Sequence, residues 1–197
     1  ILASSCTKEG PEGPVGATCA QGPAGAPGAP GAPGAGQTTY STWVTTVSAD
    51  WVVGWQAPNN YNVEMVYNRT AAGVTQSILD QGVVLAYGRN FTVGASTILS
   101  NTMALPYTEA FNGQNYGYIL APGKIVFTYD PDGWAPIRPV SQLVGIAYRY
   151  ILIPGSLAGR GETPTYGGYT AEELRAMPYE KVTEIFNIPD TGSNMVE

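Results

Sequence analysis

Residue types able to do chemistry are few in this 197-residue chain, and their spacing does not favour catalysis. Histidine is absent. That excludes Ser-His-Asp and Cys-His nucleophilic catalysis and every His-ligated metal site. The two cysteines, Cys6 and Cys19, are too few for a zinc site or a disulfide framework. Asp130-Pro131-Asp132-Gly133 holds two carboxylates without the ligand spacing of a calcium loop, and its Pro and Gly make it a turn. Glu172 and Glu173 are neighbours on a predicted helix, where adjacent side chains point apart. They read as a helix cap and a solvated position, not an acid pair. Trp43, Trp51, Trp55 and Trp134 could stack a sugar, or fill a core or an interface. Asn68-Arg69-Thr70 and Asn90-Phe91-Thr92 match the N-glycosylation pattern. The sequence therefore announces no catalytic, cofactor-binding or metal-binding residue, and it predicts a protein that is not an enzyme.

Covalent modification is better supported. Ile1-Leu2-Ala3-Ser4-Ser5-Cys6 reads as the end of an apolar export signal, with small residues before a cysteine. Cys6 is a lipidation candidate, and a lipid there would anchor the precursor to a membrane without spanning it. If residues 1–9 instead stay attached, Ile1 and Leu2 form an apolar arm able to dock on a second copy.

The next segment sets the architecture. Residues 10–36 hold 9 of the 25 glycines and 6 of the 16 prolines, and the glycines keep a period of three. They are Gly10, Gly13, Gly16, Gly22, Gly25, Gly28, Gly31 and Gly34. A collagen triple helix needs Gly at every third place because nothing larger fits its axis, and Pro elsewhere pre-sets the polyproline II dihedrals. Cys19 stands where the next Gly belongs. It should break or bulge the helix, or allow an interchain disulfide. The two readings of residues 10–36 are a trimeric stalk, roughly 80 Å long at about 3 Å per residue, and a semi-rigid polyproline II tether.

Residues 37–169 read as a mainly β domain. Thr39–Val47, Trp51–Trp55, Tyr61–Tyr67, Val83–Tyr87 and Lys124–Tyr129 are rich in β-branched and aromatic residues. Leu143–Pro154 is the longest apolar run and suits a central strand. Seven to nine short strands with Gly, Asn and Pro turns predict an antiparallel β-sandwich, jelly-roll-like. Residues 170–197 switch to helical spacing. Thr170-Ala171-Glu172-Glu173 has the capping-box pattern, and Pro178 fits the start of a second helix over Tyr179–Phe186. These helices are expected to cover an end or edge of the sheet.

Charge excludes further classes. A net charge of −6 without a basic cluster argues against nucleic acid. No apolar run reaches the 18 residues of a spanning helix. Residues 37–171 carry 6 basic and 7 acidic groups in 135 positions, so the β domain has little surface charge to keep copies apart.

Ser5-Cys6-Thr7-Lys8-Glu9-Gly10-Pro11, running into Gly-X-Y triplets, resembles the start of exported Bacteroidota lipoproteins with collagen-like stalks. Thr75–Tyr87, Leu105-Pro106-Tyr107, Arg149–Gly155 and Tyr179–Pro189 resemble the β-rich domain that follows in them. The resemblance covers most of the chain and implies export and display at the cell surface or outside it. It transfers no enzymatic residue, and Cys19 departs from its triplet pattern. The expectation is a structural extracellular protein that self-assembles, as a trimer or filament, through residues 10–36 and a charge-poor, Tyr-rich β domain. Its partner is then itself. The alternative is a surface-anchored adhesin or glycan-binding module on a collagen-like stalk.

Overall fold

The computed structural model describes residues 9–16, 37–56, 63–93, 97–109, 113–131, 143–155 and 163–195. Ile1, Leu2, Cys6, Cys19, Gly22, Gly25, Gly28, Gly31 and Gly34 lie outside them, as do Asp132, Gly133 and Trp134. The chain divides into two units, Ile1–Gly31 and Ala32–Glu197. In the first, residues 9–16 form neither helix nor strand and are exposed. A Cβ placed on Gly10, Gly13 or Gly16 would meet nothing within 4 Å.

The second unit is mainly β, with antiparallel sheets and short helices. Its strands are β1 (Thr39–Tyr40), β2 (Val44–Thr45), β3 (Trp51–Gln56), β4 (Val63–Thr70), β5 (Val83–Arg89), β6 (Phe91–Val93), β7 (Thr97–Leu99), β8 (Met103–Ala104), β9 (Tyr107–Glu109), β10 (Gln114–Ala121), β11 (Lys124–Pro131) and β12 (Ala147–Ile153). The helices are α1 (Gln76–Gln81), α2 (Ala171–Ala176) and α3 (Tyr179–Ile185). One sheet has the order β1-β12-β5-β8, with β2 also on β12. The second has the order β3-β4-β11-β10-β9, and β6 and β7 form a small hairpin. Among the described residues no helix is long and apolar enough to cross a membrane.

Strand periodicity explains the layers. Side chains alternate between the two faces of a strand. Val84, Ala86, Tyr148, Tyr150 and Leu152 on one face of the first sheet share a core with Trp51, Met65, Tyr67, Tyr116, Ile125, Phe127 and Tyr129 of the second. The intervening residues, Val83, Leu85, Tyr87, Ile151 and Ile153, pack with Leu174, Tyr179, Val182 and Ile188. All seven residues of β12 are therefore buried. This is why its sequence is a continuous apolar run where one wet face would leave an alternating one. The helices thus cover the middle of a sheet face, where the sequence suggested only an end or edge.

The helix starts follow their capping chemistry. Thr170 Oγ1 accepts from the Glu173 N–H at 3.2 Å, while Glu173 Oε2 accepts from the Thr170 N–H at 2.7 Å. These bonds hold the Glu173 carboxyl below its ordinary range. Thr75, whose Oγ1 accepts from the Ile78 N–H, starts α1 in the same way. Asp130 and Pro131 end β11, paired with Asn115 and Gln114, and the rest of the expected turn, Asp132 and Gly133, lies outside the described residues.

Gly155 marks where two elements meet. A Cβ there would lie 1.7 Å from the Gln81 carbonyl oxygen, which ends α1. Backbone cannot move aside as a flexible side chain can. Gly155→Ala is expected to destabilise the domain by about 3 kcal/mol or more, the range of overpacked backbone contacts. Urea unfolding would measure it, and an unchanged midpoint would contradict the close approach.

Candidate functional site

Tyr-rich though the chain is, its tyrosines are mostly inside. Tyr67, Tyr87, Tyr116, Tyr129, Tyr148, Tyr150, Tyr166 and Tyr179 are all buried. Burial pushes the Tyr87 and Tyr148 hydroxyls well above their ordinary range. Trp51 is also in the core, in contact with Tyr67 and Tyr148. Trp43 is half-buried, with the Arg89 guanidinium 4.2 Å above its ring. These two tryptophans do not form an exposed stacking row. The Trp55 side chain and Trp134 lie outside the described residues. The charge-poor surface is therefore built from Val, Ile, Thr and Asn.

That surface is the outer face of the second sheet. Register places Val52 beside Val66, Val66 beside Thr128, and Thr128 beside Gly117. The next row holds Asn68, Val126 and Ile119. Trp51, Tyr67 and Phe127, the residues between, point into the core. Neither row carries a charge. Lys124 and Thr70 bound the face at one end, and Asn115 and Asp130 at the other. Val52 is 49% exposed and Ile119 56%, while Val66, Val126 and Thr128 are half-buried. The β-branched composition follows from strand propensity, but the absence of Lys and Glu from the middle does not. Asn68, of one glycosylation pattern, stands exposed on this face; Asn90, of the other, turns the chain between β5 and β6 with a φ of 64°.

The sheet edges differ. Among the described residues β3 pairs with β4 alone, so its outer edge is free. A bulge lies between Val53 and Trp55, and Val53 is 56% exposed. The β1 edge is covered by the C-terminal segment. Asn194 Oδ1 accepts from the Tyr40 N–H at 2.7 Å, the Asn194 amide donates to the Thr38 carbonyl at 3.0 Å, and Ser193 Oγ donates to the Tyr40 carbonyl at 2.9 Å. An edge with free N–H and C=O groups invites a second chain, and covering it prevents that.

Arg149 holds the covering segment in place. Its side chain is fully buried. Nε donates to the Ser41 carbonyl at 2.8 Å and Nη1 donates to the Asp190 carbonyl at 3.2 Å. Nη1 also donates to the Tyr179 hydroxyl. Tyr179 in turn donates to Asp190 Oδ1 at 3.0 Å, and Trp43 Nε1 donates to the same oxygen at 3.2 Å. Arg89 lies 3.4 Å from Asp190 Oδ2. The Arg149 guanidinium also lies 5.0 Å over the Tyr40 ring. Partial burial raises the Asp190 pKa, and the hydrogen bonds from Tyr179 and Trp43 with the Arg89 charge outweigh it, so the carboxyl sits below its ordinary 3.8. A charge inside the longest apolar run was the one signal in the sequence for this cluster.

No known protein family matches the chain, and no curated protein or solved structure is significantly similar to it. Among the described residues no group of three or more Cys, Asp or Glu could hold a metal ion.

Two outcomes are expected. Arg149→Ala leaves the Ser41, Asp190 and Tyr179 oxygens without their donor and should cost about 3–5 kcal/mol, the range for breaking a buried charged network. Arg149→Lys should recover little, because one ammonium cannot reproduce the fork. Because the folded Asp190 pKa is lowered, its contribution is present above pH 3.8 and is lost as pH falls through the folded value. Hydrogen exchange should show Asn194 losing protection as pH falls below 3.8, before the β12 amides do. Simultaneous loss would contradict a separately held segment.

Proposed function

We propose that this chain is an exported structural protein that associates with copies of itself. Residues 10–36 act as a collagen-like stalk, and a β-sandwich head supplies lateral contacts. The observation that carries the reading is the outer face of the second sheet, whose two central rows, Val52, Val66, Thr128, Gly117 and Asn68, Val126, Ile119, hold no charge. Contiguous exposed apolar surface usually marks an interaction site, and few charges leave copies little mutual repulsion. The β3 edge, which pairs only with β4 among the described residues, adjoins this face. A neutral β-branched face suits a neutral β-branched partner, and a second copy is one.

The stalk provides the proximity. A period of three at Gly10, Gly13 and Gly16 is what partner chains meeting at an axis would require. Three heads held at one stalk end would face each other at high effective concentration, which lets weak faces associate. Cys6 then serves as the lipid anchor of the precursor, and Cys19 as an interchain contact at the register break. If Ile1 and Leu2 are retained, they form the arm that joins one copy to the next. Trp51 is buried and Trp43 is half-buried beneath Arg89, which counts against the adhesin reading with its exposed aromatic row.

Sedimentation of the full chain tests this. The unmodified protein is expected to run at three times its 20.7 kDa or more. Deleting residues 1–36 should weaken association at least tenfold, the loss of effective concentration that a tether supplies. Placing lysines on the sheet face, Val52→Lys with Ile119→Lys, should leave the fold intact and abolish species larger than a stalk-held trimer. A full chain that sediments as a monomer at high concentration would overturn the reading.

A further inference from the structure

Two opposite charges line one cavity without pairing with each other. The cavity is about 440 Å³, within the range of small-ligand sites, and lies where β4 runs into the Ala71–Gly73 loop. Arg69 and Asp50 both line it. Arg69 is only 9% exposed. Its two Nη atoms each donate one bond, at 3.3 Å, to the Tyr148 and Thr42 carbonyls, and its guanidinium lies 5.0 Å over the Tyr150 ring. A guanidinium has five N–H donors, so most of its capacity remains. Among the described residues no carboxylate comes within ion-pair distance of it.

Asp50 is half-used in the same way. Oδ2 accepts from the Val47 N–H at 2.7 Å and closes the turn at Ser48–Asp50, while Oδ1 has no partner among the described residues. The Tyr67 phenol, also in the lining, is raised by burial; the Arg69 charge lowers it and the Asp50 charge raises it. Both charges are therefore felt at one point of the wall. The remaining lining includes Val44, Ala71 and Met195, which are apolar.

A desolvated cation without a counter-charge is costly to keep. A bare carboxylate would satisfy Arg69 and be repelled by Asp50. A neutral sugar would leave both charges without an opposite. A zwitterion answers both. We propose that this cavity binds a free α-amino acid with an apolar side chain, its carboxylate on Arg69, its ammonium on Asp50 and its side chain against Val44, Ala71 and Met195. The Arg69 fork is suited to a carboxylate in a way that a lysine is not. This site is separate from the outer sheet face and does not rest on the assembly reading.

Isothermal titration of the full chain tests it with leucine, methionine, valine and phenylalanine. At least one is expected to bind saturably, one per chain. For the amino acid that binds, the N-acetyl derivative lacks the ammonium and the amide lacks the carboxylate. Each should bind about tenfold more weakly or worse, because each loses one charge-assisted contact. Asp50→Asn keeps an acceptor for the Val47 N–H and so keeps the fold. It should weaken the free amino acid by a similar factor and strengthen the N-acetyl derivative, whose bare carboxylate no longer meets the Asp50 charge. Arg69→Lys should weaken the free amino acid and the N-acetyl derivative alike. No saturable binding of any of the four at about 10 mM would overturn the proposal. So would equal binding of the free amino acid and its two derivatives.

Discussion

Arg149 sits in the middle of β12 with no exposed surface, and the rest of the domain is arranged around satisfying it. Its donors bind the Ser41 and Asp190 carbonyls and the Tyr179 hydroxyl, oxygens that belong to three separate stretches of chain. A buried guanidinium is stable only with such partners. Satisfying it therefore brings together the segment after β1, the start of α3 and the C-terminal segment. Once these are in place, both faces of β12 and β5 are dry, and one edge of their sheet is closed by Asn194. The network fixes which face of the first sheet is used internally; among the described residues nothing of the kind covers the outer face of the second sheet.

That asymmetry links packing to the proposed role. The first sheet spends its outer face on Leu174, Tyr179, Val182 and Ile188. The second sheet has no helix layer of this kind among the described residues, yet its two central outer rows are as uncharged as an interior strand would be. A solvated sheet face ordinarily alternates toward charged and polar residues. Val52, Val66, Val126 and Ile119 depart from this pattern in adjacent strands, which is what a surface completed by a second copy requires.

The sequence made some of this legible. β12 was readable as a buried central strand because its run is apolar on both faces apart from Arg149 and is too short for a bilayer. The capping box at Thr170 and Glu173 was readable because the chemistry is local, contained within one helical turn. Thr39–Val47 was harder: its composition suits one strand, but Ser41 turns to donate backbone N–H to the Tyr150 carbonyl between β1 and β2. The fate of the tyrosines was not readable, because Tyr has an apolar body and a polar tip and its side is decided by tertiary register. The Arg149 cluster and the meeting of Arg69 and Asp50 on the wall of one cavity bring together residues far apart in the chain. No local pattern encodes such meetings.

Hydroxyl-radical footprinting above and below the association concentration would test the central claim most directly, because it reads side-chain cover on each face separately. The outer sheet face should become protected in the associated state, at Val52, Val126 and Ile119, while Glu172, Arg175 and Glu180 on α2 and α3 stay equally reactive. Protection of the helices with an unchanged sheet face would contradict it.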